Sequence, residues 1–552
     1  MLTGMPATTG ENHQLNMTTL FRHAARNFPD QEVVHRGHDG AWRRSDYRSE
    51  WKRLARMAHA LTELGVGPGD VVGVMDWNSL RHLELYFAVP GLAATMLQLN
   101  LHLGTEDLRY VIDHSGASWV CVDESLLPLA EKHADAENVR GWIILSDRPG
   151  AEITTTLPNA VFLEDLMAGL SDDVAGGDPE HYPWEMIDEH TAAYAGYTTG
   201  TTGRPKGIFY SHRAMYLHSL TLHGVLHMDH TSCVMPVTPM FHVMSWGFPQ
   251  AAVGAGAKIV LPGRYGMDDL GFLAEALVEE EVDVANGAPA IFNPVLEHIR
   301  SLETSPDLTG LRLICGATEP PLAMMKGYRE LTGAEVIHAY GASETSPVVT
   351  CNWRLKPDLE GLSEDEQWDI KRCQGIPVLG VEAKITDLEG EELPWDGASS
   401  GELLIRGPWI TTDYHRRDDA SESFREDWWR SGDVGALRPD GYLKLTDRLK
   451  DVIKSGGEWI SSIDLENAIL DNARVAEAAV IGVPDPTWQE RPVAYVVATP
   501  GQELTEQMVR ETLQGRFANW QLPDRVILVD ELPKTSVGKL NKKLMRAEYT
   551  AE

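Results

Sequence analysis

With 552 residues, 43% of them hydrophobic, the chain exceeds what one hydrophobic core usually serves, so two or more domains are expected. Its 82 acidic against 48 basic side chains leave a net charge of -34, a field that repels phosphate backbones and excludes nucleic acid as an expected partner. Any anion site must then be built from a local cluster of cations.

The five cysteines, Cys121, Cys233, Cys315, Cys351 and Cys373, are dispersed with no C-x-x-C spacing. That argues against a zinc site or a disulfide framework and suits a reducing cytoplasm. The segment Met1 to Asn16 lacks a basic-then-apolar signal pattern. The most apolar stretch, Leu85 to Leu97, contains Pro90-Gly91 and falls far short of the roughly 20 residues of a membrane span. A soluble, cytoplasmic protein is expected.

In chain order, Thr18 to Leu64 holds two helical patterns, the first with Leu20, Phe21, Ala24, Ala25 and Phe28 behind a Thr cap. A Gly/Pro turn leads to the apolar run Val71 to Met75, then to a helix from Ser79 to Ala88. Trp119 to Val122 and Trp142 to Leu145 read as further short strands. The repetition of helix, turn, short apolar strand and helix predicts an α/β layer with a largely parallel sheet. Between Asp147 and His190 the chain is acidic and loop-like.

Tyr197-Thr198-Thr199-Gly200-Thr201-Thr202-Gly203-Arg204-Pro205-Lys206-Gly207 follows the small, apolar Ala192-Ala193-Tyr194-Ala195. Glycines let backbone N–H groups converge, hydroxyls donate to phosphoryl oxygens, and Lys206 supplies a cation, so the composition suits a phosphate chain. It is no Walker A loop, because Gly207 stands where that motif needs Ser or Thr after the Lys. These residues alone also suit an ordinary Gly/Thr surface loop.

Beyond a helix opened by His212, the apolar segment Cys233 to Phe248 carries no acid or base other than His242. His242 reads as a core histidine or a site residue. Met244, Trp246 and Phe248 alternate, and either line a tunnel wall or fill a core. Strand-like runs end at Gly316-Ala317-Thr318 and at Tyr340-Gly341-Ala342-Ser343-Glu344, and ligands of open α/β sheets sit past such strand ends. Glu344 is a candidate Mg²⁺ ligand or a surface cap. Leu355 to Lys371 reads as a solvated acidic helical face. Gly401 to Gly407 and Trp429 to Val434 are β-rich, and Asp433 suits two adjacent sugar hydroxyls or an ordinary turn. Charge density rises from Asp447, which places a domain boundary there. The remainder alternates helix (Ser461 to Asn472, Thr505 to Phe517) and strand (Ala479 to Ile481, Val493 to Val497). It ends in the basic Pro533 to Lys543, itself readable as a solvated charge run.

Taken in order, Tyr197 to Gly207, Ala339 to Pro347, Ser431-Gly432-Asp433, Asp447 to Ser461 and Pro533 to Leu540 resemble the acyl-adenylate-forming superfamily of acyl-CoA synthetases, luciferase-like enzymes and peptide-synthetase adenylation domains. The resemblance runs from about Leu20 to Arg546. Phe241 to Trp246 and Ser455 to Ser461 are similar to the medium- and long-chain fatty acyl-CoA synthetases and to 3-methylmercaptopropionate-CoA ligase. It implies an N-terminal domain of layered α/β sheets plus a β-rich subdomain over 1–447, binding ATP and carboxylate. A small mobile α+β domain over 448–552 carries the adenylation lysine. The implied reaction makes acyl-AMP from ATP and an aliphatic acid, then passes the acyl group to CoA. The acid is expected to be short or medium, with 3-(methylthio)propanoate a concrete candidate. Long-chain synthetase and acyl-AMP ligase loading a carrier protein are the alternatives, and a homodimer is the candidate assembly.

The resemblance also implies roles. Thr198, Thr199, Gly200, Thr201, Thr202, Gly203 and Lys206 would hold the β- and γ-phosphates, with Thr198 and Glu344 on Mg²⁺. Gly316, Ala317, Thr318, His338, Ala339, Tyr340 and Gly341 would frame the adenine, with Ser343 near the α-phosphate. Asp433 and Arg448 would bind the ribose, and Lys450 would be the hinge. Lys454, Gly456, Gly457 and Trp459 would follow the C-terminal domain and the pantetheine path. His242 would stand at the carboxylate, Trp246 at the tunnel gate with Met244 and Phe248 on its wall, and Lys539 would reach the carboxylate and α-phosphate. Glu319 and Pro320 depart from the small residues frequent in the family.

Overall fold

The computed structural model describes residues 2–10, 12–170, 174, 177–198, 204–266, 270–387, 389–456, 458–533 and 540–551. It divides into two compact units, Met1–Val381 with Gly407–Glu422, and Glu382–Arg406 with Ser423–Glu552.

The first unit is built on two sheets. One has seven strands in the order Ala160–Phe162, Gly141–Leu145, Trp119–Asp123, Val71–Met75, Thr95–Gln98, Ala192–Tyr197 and Gly207–Ser211. All its neighbours are parallel except the last pair. Every residue of Val71–Met75 is buried, as expected for a parallel strand covered on both faces. The other sheet has nine strands: Ile376–Pro377, Val348–Cys351, Glu335–Gly341, Arg312–Cys315, Val284–Gly287, Cys233–Pro236, Lys258–Leu261, Glu32–Arg36 and Trp42–Asp46.

Each sheet contains a reversal of connection. Val71–Met75 leads to Thr95–Gln98 on one side, and the chain then crosses back to Trp119–Asp123 on the other. Cys233–Pro236 leads likewise to Lys258–Leu261 and then back to Val284–Gly287. Crevices for ligands open outside the carboxyl ends of strands at such reversals. The two are tied together by Asn78, just past the first. Its Nδ2 donates to the carbonyls of Pro236 (2.7 Å) and Thr238 (3.0 Å), and its Oδ1 accepts from Met240 N (2.9 Å). Its own carbonyl accepts from Gly263 N (3.0 Å). Tyr86 Oη adds a bond to the Met240 carbonyl (2.7 Å), and Tyr194 Oη one to the Tyr86 carbonyl (2.8 Å).

Several expected elements take a different form. The first helix, Met17–Asn27, has Asn16 in the cap position, with Thr18 and Thr19 inside its first turn. A hairpin, Glu32–Arg36 with Trp42–Asp46, separates it from the second helix, because the Gly-containing turn favours pairing over helix. The supposed loop from Asp147 to His190 includes a strand, Ala160–Phe162, and a helix, Leu163–Gly169. The acidic face before Lys371 is not simply solvated. Its helix, Glu364–Arg372, is capped by Ser363 and buries Trp368 and Ile370, and Trp368 joins the core of the nine-stranded sheet.

The second unit holds the antiparallel strands Glu382–Thr386, Gly401–Arg406, Trp428–Leu437 and Phe424–Arg425, with Leu443–Arg448 paired to the third of these. Its C-terminal part pairs Val475–Asp485 with Gln489–Ala498, longer strands than the sequence pattern indicated, beside helices Ser462–Leu470 and Glu506–Leu513. The basic tail is anchored rather than solvated at its far end. Lys542 Nζ lies 2.6 Å from Ser462 Oγ and 2.7 Å from Glu466 of a buried pair, and Asn541 N donates to the Pro533 carbonyl (2.8 Å). The five cysteines are buried free thiols. No helix among the described residues is long and apolar enough to cross a membrane.

Replacing Asn78 with Leu would strand two buried carbonyls and an amide. The melting temperature of the first unit is expected to fall by about 5–10 °C in calorimetry.

Candidate active site

The phosphate-loop sequence bridges the antiparallel strands Ala192–Tyr197 and Gly207–Ser211. Its described ends close on each other. Thr198 N donates to the Lys206 carbonyl (2.9 Å), and Lys206 N donates to Thr198 Oγ1 (3.1 Å). Thr199, Gly200, Thr201, Thr202 and Gly203 lie outside the described residues. Gly207 is required on space grounds, since a Cβ there would come within 2.7 Å of the Tyr197 ring.

Lys206 and Glu344 are gathered by a residue the sequence reading passed over, Tyr414. Lys206 Nζ stands 4.5 Å from the centre of the Tyr414 ring, and Tyr414 Oη donates to Glu344 Oε1 (2.8 Å). Thr411 N also donates to the Glu344 carbonyl (2.8 Å), and His415 N to the Gly207 carbonyl (2.9 Å). The 407–422 segment thus straps the loop hairpin to the Glu344 turn. Tyr210 Oη, from the hairpin itself, donates to the Ser343 carbonyl (2.8 Å). Thr198 and Glu344 offer a hydroxyl and a carboxylate, oxygen donors that fit Mg²⁺, an ion that commonly takes few protein ligands and the rest from phosphates and water.

The adenine-wall candidates occupy two adjacent parallel strands, with Cys315 opposite His338. His338 is buried and its Nδ1 donates to the Arg372 carbonyl (2.7 Å); burial pushes its pKa down to about 4, so the ring is neutral at pH 7. Ala317 has φ +69° and, with Thr318, is exposed. Glu319 does not point a lone charge at this wall, because Arg372 pairs with it at 2.5 Å. Gly341 admits no side chain, as a Cβ would fall 1.8 Å from the Pro347 carbonyl oxygen. Ala339 is buried and Tyr340 half-buried beside it.

The expected alternation of Met244, Trp246 and Phe248 is absent. Val243, Met244, Ser245, Trp246 and Gly247 form a left-handed turn with φ of 46°, 55°, 46°, 59° and 75°, and Phe248 then opens a right-handed helix, Phe248–Ala255. Four non-glycine residues in this region cost on the order of 4–8 kcal/mol, so the surroundings must impose the turn. Met244 and Phe248 are fully buried. Trp246 packs on Gly316, where a Cβ would meet its Cη2 at 3.1 Å. His242, half-buried, precedes the turn and its carbonyl accepts from Ser245 N (3.1 Å). Behind the turn, buried His218 accepts from Val348 N (3.2 Å) at Nε2, and burial pushes its pKa down to about 3.

In the second unit, Asp433 and Arg448 face each other on adjacent strands, Asp433 Oδ1 lying 2.7 Å from Arg448 Nε. Asp433 is buried and Arg448 exposed. Lys450 sits in a tight turn closed by the Arg448 carbonyl, which accepts from Asp451 N (2.8 Å) and Val452 N (2.7 Å). Lys454 pairs with Trp459 across a hairpin, and Lys454 N donates to Glu490 (2.8 Å). Gly456 has φ +63° under the exposed ring of Trp488, and Gly456 N donates to the Trp488 carbonyl (2.8 Å). Gly457 and Lys539 lie outside the described residues.

A family model described as AMP-binding enzyme matches residues 21–415. The chain belongs to the AMP-binding enzymes. A second model, AMP-binding enzyme C-terminal domain, matches residues 464–539. Among similar AMP-binding enzymes, 3-methylmercaptopropionyl-CoA ligase of Ruegeria lacuscaerulensis is 38% identical over 97% of both chains. Medium-chain-fatty-acid–CoA ligase of Ectopseudomonas oleovorans is 37% identical over 97% of this chain and 96% of its own. The crystal structure of the anthranilate CoA ligase AuaEII in complex with anthranoyl-AMP shares the fold with a TM-score of 0.79, at 22% identity over 97% of this chain and 98% of that one.

For an AMP-binding enzyme, three residues absent from the sequence reading stand out: Tyr414, Asn286 and Trp488. Tyr414 lies in the polar run Thr411 to Arg417, where a lone aromatic is the only signal, and its partner is 70 residues away. Tyr414→Phe keeps the ring under Lys206 and deletes the bond to Glu344. A bond to a charged group is worth about 1.5–3 kcal/mol, so kcat/KM for Mg-ATP should drop about 10- to 100-fold in initial-rate assays.

Proposed function

We propose that this AMP-binding enzyme is an AMP-forming acyl-CoA ligase acting on an aliphatic monocarboxylate, short or medium in length, with 3-(methylthio)propanoate the concrete candidate. The observation that carries this reading is similarity at 37–38% identity, over nearly the whole chain, to enzymes named as CoA ligases of fatty acids and of 3-methylmercaptopropionate. The apolar segment from Cys233 to Phe248 supports an aliphatic acid, since it contains no carboxylate to receive a substrate amine. A cytoplasmic homodimer completes the reading.

In the first step a carboxylate oxygen attacks the α-phosphorus of ATP and pyrophosphate leaves. Thr198 and Lys206, with the loop between them, would hold the β- and γ-phosphates, and Tyr414 would keep Glu344 oriented toward the ion that ATP brings. Mg²⁺, when bound, offsets charge on the phosphates. His338 and Gly316 to Thr318 would frame the adenine, with Ser343 near the α-phosphate, and Asp433 and Arg448 would take the ribose hydroxyls. His242 would stand beside the carboxylate, Trp246 at the entrance to the acyl site. Lys539 would approach both reacting anions. A cation about 4 Å away is worth roughly 4 kcal/mol at an effective dielectric near 20, close to three powers of ten in rate.

In the second step the CoA thiolate attacks the acyl carbonyl and AMP departs. The domain carrying Lys539 would turn about Lys450, withdrawing that charge and bringing Lys454, the Gly456-Gly457 pair and Trp459 toward the pantetheine arm.

The deciding experiment measures AMP release with and without CoA across acids from acetate to palmitate, methylthio acids included. The expected result is CoA-dependent turnover peaking at a short or medium acid. A maximum at palmitate indicates a long-chain synthetase, and acyl-AMP that never reaches CoA indicates loading of a carrier; either overturns the reading. Lys539→Ala should lower the rate of adenylation about 10³-fold while largely sparing thioester formation from supplied acyl-AMP, both followed by product chromatography.

A further inference from the structure

The Val243–Gly247 turn is held in an unfavourable backbone conformation. Four of its residues carry side chains, one of them β-branched, in a conformation that favours glycine. Ser245 N donates to the His242 carbonyl, and Phe248 N, at the start of the next helix, donates to the Ser245 carbonyl. A restraint from outside the turn is Asn286, fully buried near the end of Val284–Gly287 and therefore at the connection reversal of the nine-stranded sheet. Its Nδ2 donates to the Ser245 carbonyl (2.9 Å) and to Ser245 Oγ (3.2 Å). Its Oδ1 accepts from Val237 N (3.1 Å), and its carbonyl accepts from Thr238 N (2.9 Å). One amide thus grips both ends of the excursion that carries His242.

The residue type matters. An N–H donor must face the Ser245 carbonyl while an acceptor faces Val237 N, and only a side-chain amide of this length offers both. A carboxylate would set oxygen against oxygen at Ser245. The consequence reaches the acyl site through Trp246, whose ring lies on Gly316 at the end of the neighbouring strand.

We propose that Asn286 is a positioning residue that sets acyl-chain selectivity, holding the Val243–Gly247 turn left-handed so that Trp246 stays against Gly316. The inference rests on the reading of Trp246 as the entrance to the acyl site. Without the amide the turn relaxes toward ordinary backbone conformations, Trp246 leaves Gly316, and the acyl site changes shape while the phosphate loop, Glu344 and Tyr414 keep theirs.

The test compares kcat/KM for acids from acetate to palmitate, and KM for ATP, in wild type, Asn286→Ala, Asn286→Asp and Trp246→Ala. In both Asn286 variants the ratio of kcat/KM between the preferred acid and one four carbons longer should change about 10-fold in the same direction as in Trp246→Ala, with KM for ATP within about twofold. Glycine relieves left-handed strain, so adding Val243→Gly and Ser245→Gly to Asn286→Ala should recover most of the wild-type ratio. A purely structural role would not produce that recovery. If Trp246→Ala moves the ratio and the Asn286 variants do not, or if all acids and ATP weaken together without recovery by the glycines, the clamp is overturned. If Trp246→Ala itself leaves the ratio unchanged, the entrance reading fails and this inference with it. Should Asn286→Ala not fold, Asn286→Ser carries the same comparison.

Discussion

The chain that leaves the nine-stranded sheet at Pro236 does not return to solvent. It runs through buried Val237, Thr238 and Met240, past half-buried His242, to buried Ser245, and the carbonyls and amides buried on that path must find partners inside the protein. Two asparagines from opposite sides meet that demand, Asn78 from beyond the seven-stranded sheet and Asn286 from the next strand. Their amides present donor and acceptor together, which is what an irregular stretch of backbone needs and what an apolar side chain cannot offer. The segment carrying His242 and Trp246 can therefore be irregular, even left-handed, with the carbonyls of Pro236, Thr238 and Ser245 and the amides of Val237 and Met240 met by these side chains.

The same economy of partners governs charge. A chain of net charge -34 must build any anion site from a few local cations. Lys206 lies over the face of Tyr414, while the hydroxyl of the same tyrosine donates to Glu344. Across the site wall, Glu319 is matched by Arg372, so an acid that would oppose a nucleotide is already compensated. In the second unit, Arg448 reaches buried Asp433 from the adjacent strand and remains exposed, so the pair is preformed on one side and open on the other.

The C-terminal part treats its basic tail differently at its two ends. Asn541 N closes onto the Pro533 carbonyl, and Lys542 is drawn into Ser462 and Glu466.

Much of this was legible in the chain. Runs such as Val71 to Met75 and Trp142 to Leu145 announce buried parallel strands because both faces must be apolar, and they stand where expected. The segments around Thr198, Glu344, Asp433 and Arg448 could be singled out because they lie in short, contiguous motifs. Elements read only from charge or from an isolated cap went astray: the acidic helix Glu364–Arg372 buries Trp368, and Asn16, not a Thr, occupies the cap position of the first helix. What only the tertiary structure decided are the partners far apart in the chain. Tyr414 meets Glu344, Asn78 meets Thr238, and Asn286 meets Ser245, each across tens to hundreds of residues. A hydrogen bond specifies geometry between atoms, not spacing along the chain, so local pattern could name the residues that bear the chemistry but not those that hold them in place.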